Sequence, residues 1–320
     1  MKLITKTLWQ GREDVTLTAY LLDNCFDMDP QRRRPAVLIC PGGGYQYCSD
    51  REAEPVAMKF AAMGYHTMIL RYSVAGTAPE KAMAAYPMAL VDIAKAMWVI
   101  RQQADAWLVD PDRIAICGFS AGGHLCAELA VHWQEPWLSE KLGSPNEMLR
   151  PNAAILVYAL TDVVAQDQYM RDSQFPGGGE VNATLLGHED LSPEEERRIS
   201  PAYHVTDNCP PCFLVHASDD FLVPVENALN MAGALTKAGV PYSLHVYETG
   251  SHGFSVADET SSTMDFELHP NAAGWVELAH RWMKEHMPLT VLHGEGKIPT
   301  RGHLPTQGGI PAKVDLTMFQ

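Results

Sequence analysis

The chain holds 320 residues, 46% hydrophobic and 20% charged, with 24 Gly and 22 Pro; this globular composition excludes disordered, collagen-like and coiled-coil chains. Lys and Arg number 24 against 39 Asp and Glu, a formal net charge of −15, which repels phosphate backbones and anionic lipid and argues against nucleic-acid and membrane-surface partners. No window nears the ~20 apolar residues of a membrane span, and the start, MKLITKTLWQGRED, lacks a signal peptide's apolar core, so a cytoplasmic protein is expected.

In chain order, the alternating runs Leu3–Trp9 and Val15–Leu22 predict an antiparallel pair at a sheet edge. Six short apolar runs follow: Ala36–Cys40, Thr67–Tyr72, Arg113–Cys117, Ala153–Tyr158, Cys212–Ser218 and Tyr242–Glu248. Such continuous runs are how strands buried on both faces read. Between them Leu90, Ile93, Ala94, Met97 and Ile100 share one helix face behind Pro87. Gly123–Trp133 reads as a helix, and Val225, Ala228, Leu229, Ala232 and Leu235 make another after Pro224. Ala272, Trp275, Val276, Ala279 and Trp282 predict a last amphipathic helix, with Asn271 as its cap. Strands alternating with helices predict an α/β fold with a mostly parallel, twisted sheet of eight strands flanked by helices.

Two stretches break the alternation. Residues 159–211 carry Gly177-Gly-Gly179 and a short acidic helix capped by Ser192, and are expected to form a lid-like insertion. Residues 288–320 form a Gly/Pro-rich extension beyond a domain spanning 1–287. That tail is expected to pack on a neighbouring subunit, in a homo-oligomer, or over the insertion. The seven cysteines are odd in number and scattered, as in a reducing compartment. Cys209-Pro-Pro-Cys212 lacks the second ligand pair of a zinc site and precedes a strand rather than opening a redox helix, so it reads as a Pro-rich lead-in. No metal or cofactor is expected.

The chemistry concentrates where strand Arg113–Cys117 meets Gly118-Phe119-Ser120-Ala121-Gly122 and a helix. GxSxG in strand–turn–helix context is a nucleophile elbow: a strained turn presents the Ser120 hydroxyl above the sheet edge, and the helix aims free N–H groups at developing charge. A serine nucleophile needs a base and an orienting acid, in chain order Ser, acid, His on this architecture. Of thirteen histidines, His252 stands in Gly250-Ser-His-Gly-Phe254 directly after the last strand run, where it can reach across the sheet edge. His124, on the helix after the elbow, is expected to pack there, and His216 lies inside a strand. For the acid, spacing leaves Asp219, Asp220 and Asp162 open. N–H groups for a tetrahedral oxyanion are expected from Ala121 and from Gly43 and Gly44 in the loop Pro41-Gly-Gly-Gly44-Tyr45. Tyr45 and Phe254 are bulky neighbours of these groups, expected to bind substrate by closing an acyl pocket.

The elbow, the acid loop and the SHGF loop resemble the α/β-hydrolase superfamily over roughly residues 15–287. Within it, CPGGGYQYCSDREAEPVAMKFAAMGYHTMILRYSVA resembles small bacterial esterases of the acetyl-xylan and feruloyl esterase-like group. Their acid loop runs H-G-x-x-D-x-x-x-P; aligned on His216-Ala-Ser-Asp219-Asp220-Phe-Leu-Val-Pro224, the resemblance selects Asp220, with Ala217 in place of the usual Gly. It implies a serine carboxylesterase with a Ser120, His252 and Asp220 triad, acting on small acyl esters, acetyl foremost, of small-molecule alcohols including sugars. The same residues would serve an amidase or peptidase. A catalytically silent binding protein is the third reading, against which the intact Ser, Asp and His set weighs.

Overall fold

The computed structural model describes residues 1–25, 29–173 and 180–289. Its strands are β1 (Lys2–Thr7), β2 (Thr16–Leu21), β3 (Arg34–Cys40), β4 (His66–Arg71), β5 (Val109–Phe119), β6 (Ala153–Val157), β7 (Cys212–Ala217) and β8 (Tyr242–Tyr247). They form one eight-stranded sheet in the order β1-β2-β4-β3-β5-β6-β7-β8. β2 pairs antiparallel with β1 and with β4, and from β4 to β8 every pairing is parallel. Every apolar run expected as a strand lies in this sheet. β5 starts earlier than its apolar stretch, because the polar segment from Val109 continues the strand alongside Arg34, where its register with β3 shifts.

The helices are α1 (Glu54–Ala62), α2 (Met88–Gln102), α3 (Ala104–Trp107), α4 (Ser120–His132), α5 (Pro136–Leu142), α6 (Val163–Ser173), α7 (Glu180–Leu186), α8 (Pro193–Arg198), α9 (Glu226–Ala238) and α10 (Trp275–His286). α1 and α10 cover one face of the sheet, setting Val56, Phe60, Trp275 and Met283 against Val37, Ile39, Ala115 and Phe213. α2, α4 and α9 cover the other, with Leu90, Met97, Leu125 and Met231 against Leu38, Ile116 and Leu214. Both faces being covered explains why β3, β6 and β7 are buried at every position and read as unbroken apolar runs.

Two local expectations are corrected or refined, and a third is met. α10 begins at Trp275 with Gly274 at its N-cap, not at Asn271, because residues 271–274 are held in turns by bonds such as Trp275 N–H to Ala272 O (3.0 Å). α4 starts at Ser120 itself. α8 is capped as expected, Ser192 Oγ accepting from Glu195 N–H (3.3 Å) while the Glu195 carboxylate accepts from Ser192 N–H (2.9 Å). The insertion contributes α6, α7 and α8; its Gly177–Gly179 stretch and the tail beyond residue 289 lie outside the described residues. Cys209 and Cys212 are free, buried thiols leading into β7. No described helix is long and apolar enough to cross a membrane.

One buried acid makes stability pH-dependent. Glu128 of α4 accepts from the Tyr86 hydroxyl (3.1 Å) through Oε2, while its Oε1 has no hydrogen-bond partner among the described residues. Burial pushes its carboxyl up to about 8, only partly offset by Tyr86. His124 and His132, each with Nε2 3.8 Å from a Glu128 oxygen, are themselves held down to about 4 by burial, so neither imidazole charges to pair with it at neutral pH. An unfolded glutamate releases its proton near ~4.3 and the folded one only near 8, so this group's contribution to stability falls as pH rises through that window. Glu128→Gln, which has no proton to lose, is expected to raise folding stability by a margin that grows from pH 5 to pH 8, reaching on the order of 2–4 kcal/mol. Thermal melts at the two pH values check this; an equal gain at both would contradict it.

Candidate active site

The loops after β3, β5, β7 and β8 meet at the carboxyl edge of the sheet, where ligands of open α/β sheets bind. The β5 strand ends in the turn that carries Ser120, whose φ of +51° puts a non-glycine residue in the left-handed region. That conformation costs energy and persists only where packing enforces it. The enforcement is visible at Gly122, where an added Cβ would fall on the carbonyl oxygens of Cys40 and Pro41. The elbow therefore packs directly on the loop after β3. In that loop Gly43 has φ +124°, and a Cβ there would fall on Tyr47 O. Among the described residues nothing accepts from the Gly43 or Gly44 N–H, whereas the Gly42 N–H donates to Glu52 Oε2 (2.7 Å). Gly43, Gly44, Ser120 and Ala121 line one cavity together with His252.

Ser120 Oγ lies 2.9 Å from His252 Nε2, and His252 Nδ1 lies 2.8 Å from Asp220 Oδ2. A carboxylate can only accept, so Nδ1 carries the proton and Nε2 faces the serine with its lone pair. Asp220 Oδ1 accepts from the N–H groups of Leu222 and Val223 (2.9 Å each). Burial alone would raise the Asp220 carboxyl, but the imidazoles of His252 and His216 hold it well below the usual carboxylate range. It stays ionised wherever the chain is folded near neutrality. The other two acids do different work. Asp219 is exposed, and its Oδ1 accepts from Gly250 and Ser251 N–H (2.9 Å each), anchoring the histidine loop. Asp162 accepts from Ala165 N–H (3.0 Å) at the start of α6 and from Asn230 Nδ2 (2.7 Å).

His216 is buried and donates from Nε2 to Val223 O (2.8 Å), shaping the acid loop. His124 is buried as expected, and its partner is unexpected. Its Nε2 donates to Ile199 O (2.8 Å), leaving Nδ1 to accept from the Tyr45 hydroxyl (2.6 Å). The substrate-binding roles expected of Tyr45 and Phe254 are thereby corrected. Tyr45 has φ +58°, which turns its ring away from the cavity and into the core beside Tyr72. Phe254 is also fully buried, its ring centroid 4.7 Å from that of Tyr158. Neither lines the cavity.

Residues with no sequence signal complete the site. Buried Glu52 accepts from the Tyr158 hydroxyl (2.7 Å) as well as from Gly42, and burial raises its carboxyl despite both bonds. The Tyr158 oxygen in turn accepts from Ser255 N–H (2.9 Å), and its ring meets that of His252 edge-on at 5.1 Å. One carboxylate thus ties the glycine loop to the histidine loop. An acid in the polar turn just before a helix ordinarily reads as solvent-exposed, so only the tertiary fold reveals it. The cavity, of about 430 Å³, is walled on its far side by the insertion: Gln166, Asp167 and Met170 from α6, Val181 and Asn182 from α7. The Gln46 side chain of the glycine loop donates to Thr184 Oγ1 of α7, joining the two walls.

A hydroxyl hydrogen-bonded to an oriented imidazole, beside open backbone N–H groups and under a roofed cavity, has the groups that acyl transfer needs. With this sheet order and elbow the protein has the α/β-hydrolase fold. The chain belongs to the BD-FAE family, whose model matches residues 22–235. It is 31% identical over 267 residues to endo-1,4-beta-xylanase B of Butyrivibrio fibrisolvens, covering 81% of this chain and 39% of that protein. Among solved structures, a carboxylesterase from Lactobacillus plantarum aligns with TM-score 0.78 and 29% identity over 91% of this chain and 100% of that one. An acetyl ester-xyloside bifunctional hydrolase from Caldicellulosiruptor lactoaceticus aligns with TM-score 0.71 and 28% identity, covering 90% and 97%. The chain spans between 39% and 55% of the length of the first curated relatives it matches.

Proposed function

We propose that the protein is a serine carboxylesterase that removes short acyl groups, acetyl foremost, from neutral esters whose alcohol is a carbohydrate. The observation that carries this reading is the continuous contact from Ser120 Oγ through His252 to Asp220, at 2.9 and 2.8 Å, opening on one cavity. Ser120 Oγ attacks the ester carbonyl as its proton passes to His252 Nε2. The N–H groups of Gly43, Gly44 and Ala121 hold the oxyanion. Collapse releases the alcohol, which takes the proton from His252, and water then hydrolyses the acyl-enzyme by the same route. The acetyl preference and the sugar alcohol draw support from the name of the Caldicellulosiruptor hydrolase. Cys40, Cys117 and Cys126, buried as free thiols, support residence in the cytoplasm.

The acyl-length profile tests the reading. A cavity of about 430 Å³ has to hold acyl group and alcohol together, and overpacking costs about 1–3 kcal/mol. Acetyl and propionyl p-nitrophenyl esters are expected to be the best substrates. By octanoyl, kcat/KM should fall at least ~10-fold, which needs about 1.4 kcal/mol of differential transition-state binding. Rates climbing from acetyl to octanoyl would replace the short-acyl reading with a lipase-like one.

A further inference from the structure

The far wall of the cavity carries a polar pair within apolar surroundings. Asp167 and Asn182 line it beside Leu160, Met170, Val181 and Leu222, and both are largely buried, 8% and 4% exposed. They belong to different helices of the insertion and bond to each other: Asn182 Nδ2 donates to Asp167 Oδ2 (2.9 Å) and to Glu189 O (3.2 Å). Two acceptors around one nitrogen establish which end of the amide is which, and take up both of its protons. What the pair has left for a ligand is acceptor capacity: the Asn182 carbonyl oxygen and Asp167 Oδ1, to which no described residue donates a hydrogen bond. A buried carboxylate short of donors is costly, and burial raises the Asp167 carboxyl to about 6 despite the bond from Asn182. A wall for a fatty or aromatic alcohol would need no such pair. An alcohol rich in hydroxyls supplies the missing donors, and a carboxylate with an amide oxygen beside it can accept from neighbouring hydroxyls on one ring.

Resting on the esterase reading of the same cavity, we propose that Asp167 and Asn182 form the subsite for the alcohol portion of the substrate, a neutral polyhydroxylated ring recognised through at least two hydroxyl donors. An acetyl group fills little of the cavity, so the wall built by α6 and α7 is left to the alcohol. An anionic alcohol would be repelled by the same carboxylate.

The test compares kcat/KM on a mono-O-acetylated methyl xyloside with kcat/KM on p-nitrophenyl acetate, whose alcohol brings no hydroxyl donors. The ratio of the two is expected to fall at least ~10-fold in Asp167→Ala and in the near-isosteric Asp167→Asn, mainly through KM on the xyloside. A ratio within ~2-fold of the original in both variants would overturn the proposal, because a residue that merely supports the lid lowers both rates together. Wild-type protein that prefers acetylcholine to the acetylated xyloside, and loses that preference in Asp167→Ala, would also overturn it in favour of a cationic alcohol. Binding of the acetylated xyloside to Ser120→Ala protein, measured by calorimetry, gives a readout independent of turnover. Affinity should weaken at least ~10-fold when Asp167→Ala is added, and equal affinity would overturn the subsite. Failure of the esterase reading shows separately, as wild-type protein inert toward p-nitrophenyl acetate.

Discussion

Ser120→Ala is expected to remove nearly all ester turnover, lowering kcat by on the order of 10⁴–10⁶, while leaving the fold intact. The substitution deletes one oxygen from a residue whose backbone is held by its packing: Gly122 lies against the carbonyls of Cys40 and Pro41, and β5 is buried from Ile114 to Phe119. The lost group is the one 2.9 Å from His252 Nε2. Because members of such a triad act as a unit, His252→Ala should cost nearly as much, and the double variant little more. Labelling by a fluorophosphonate probe should follow the same pattern, complete in the wild type and absent in Ser120→Ala. Turnover of more than a few per cent in Ser120→Ala would assign the nucleophile elsewhere, and a wild-type protein that takes no label would favour a silent hydrolase fold that binds without reacting.

Asp220→Asn is expected to lower kcat by roughly 10⁴, and the structure gives the reason in atoms. Two backbone donors, Leu222 N–H and Val223 N–H, point at the Asp220 Oδ1 position at 2.9 Å. In the variant the amide carbonyl must occupy that position to accept them, which turns the NH₂ toward His252. The amide then donates to Nδ1, the imidazole proton moves to Nε2, and Ser120 faces a donor where it needs an acceptor. Asp219→Asn keeps an oxygen able to accept from Gly250 and Ser251 N–H, so its cost should stay below ~10-fold. Steady-state kinetics of the two variants on one small ester checks the ranking. The reverse order would transfer the orienting role to Asp219, and two mild effects would point to Asp162.

The outcome for these neighbouring acids shows where the chain's own text stops. Asp219 and Asp220 sit side by side after the same strand, and nothing in their spacing distinguishes them. In the fold one is exposed and anchors the histidine loop, while the other turns inward beneath the imidazole. Resemblance pointed to Asp220; local pattern did not. Tyr45 shows the same limit in the opposite direction. Adjacent to Gly43 and Gly44, it reads from sequence as a pocket residue, yet a φ of +58° sends it into the core to meet His124. Backbone sign is not written in the residue type of a tyrosine.

What the sequence determined by itself is what local chemistry decides. Strands buried on both faces must be continuously apolar, and β3, β6 and β7 are legible for that reason. A serine turn squeezed against a neighbouring loop must be flanked by glycines, so Gly118-Phe-Ser-Ala-Gly122 marks the tight turn at the carboxyl edge of the sheet without any long-range information. Only the tertiary structure decided which buried polar groups face one another. Glu52 meets Gly42 and Tyr158, 10 and 106 residues away in the chain, and Asp167 meets Asn182 across two helices. Glu52, Asp167 and Asn182 would each read as solvated surface from sequence, because a polar residue becomes an interior one only when a distant segment supplies the partner that offsets its lost hydration.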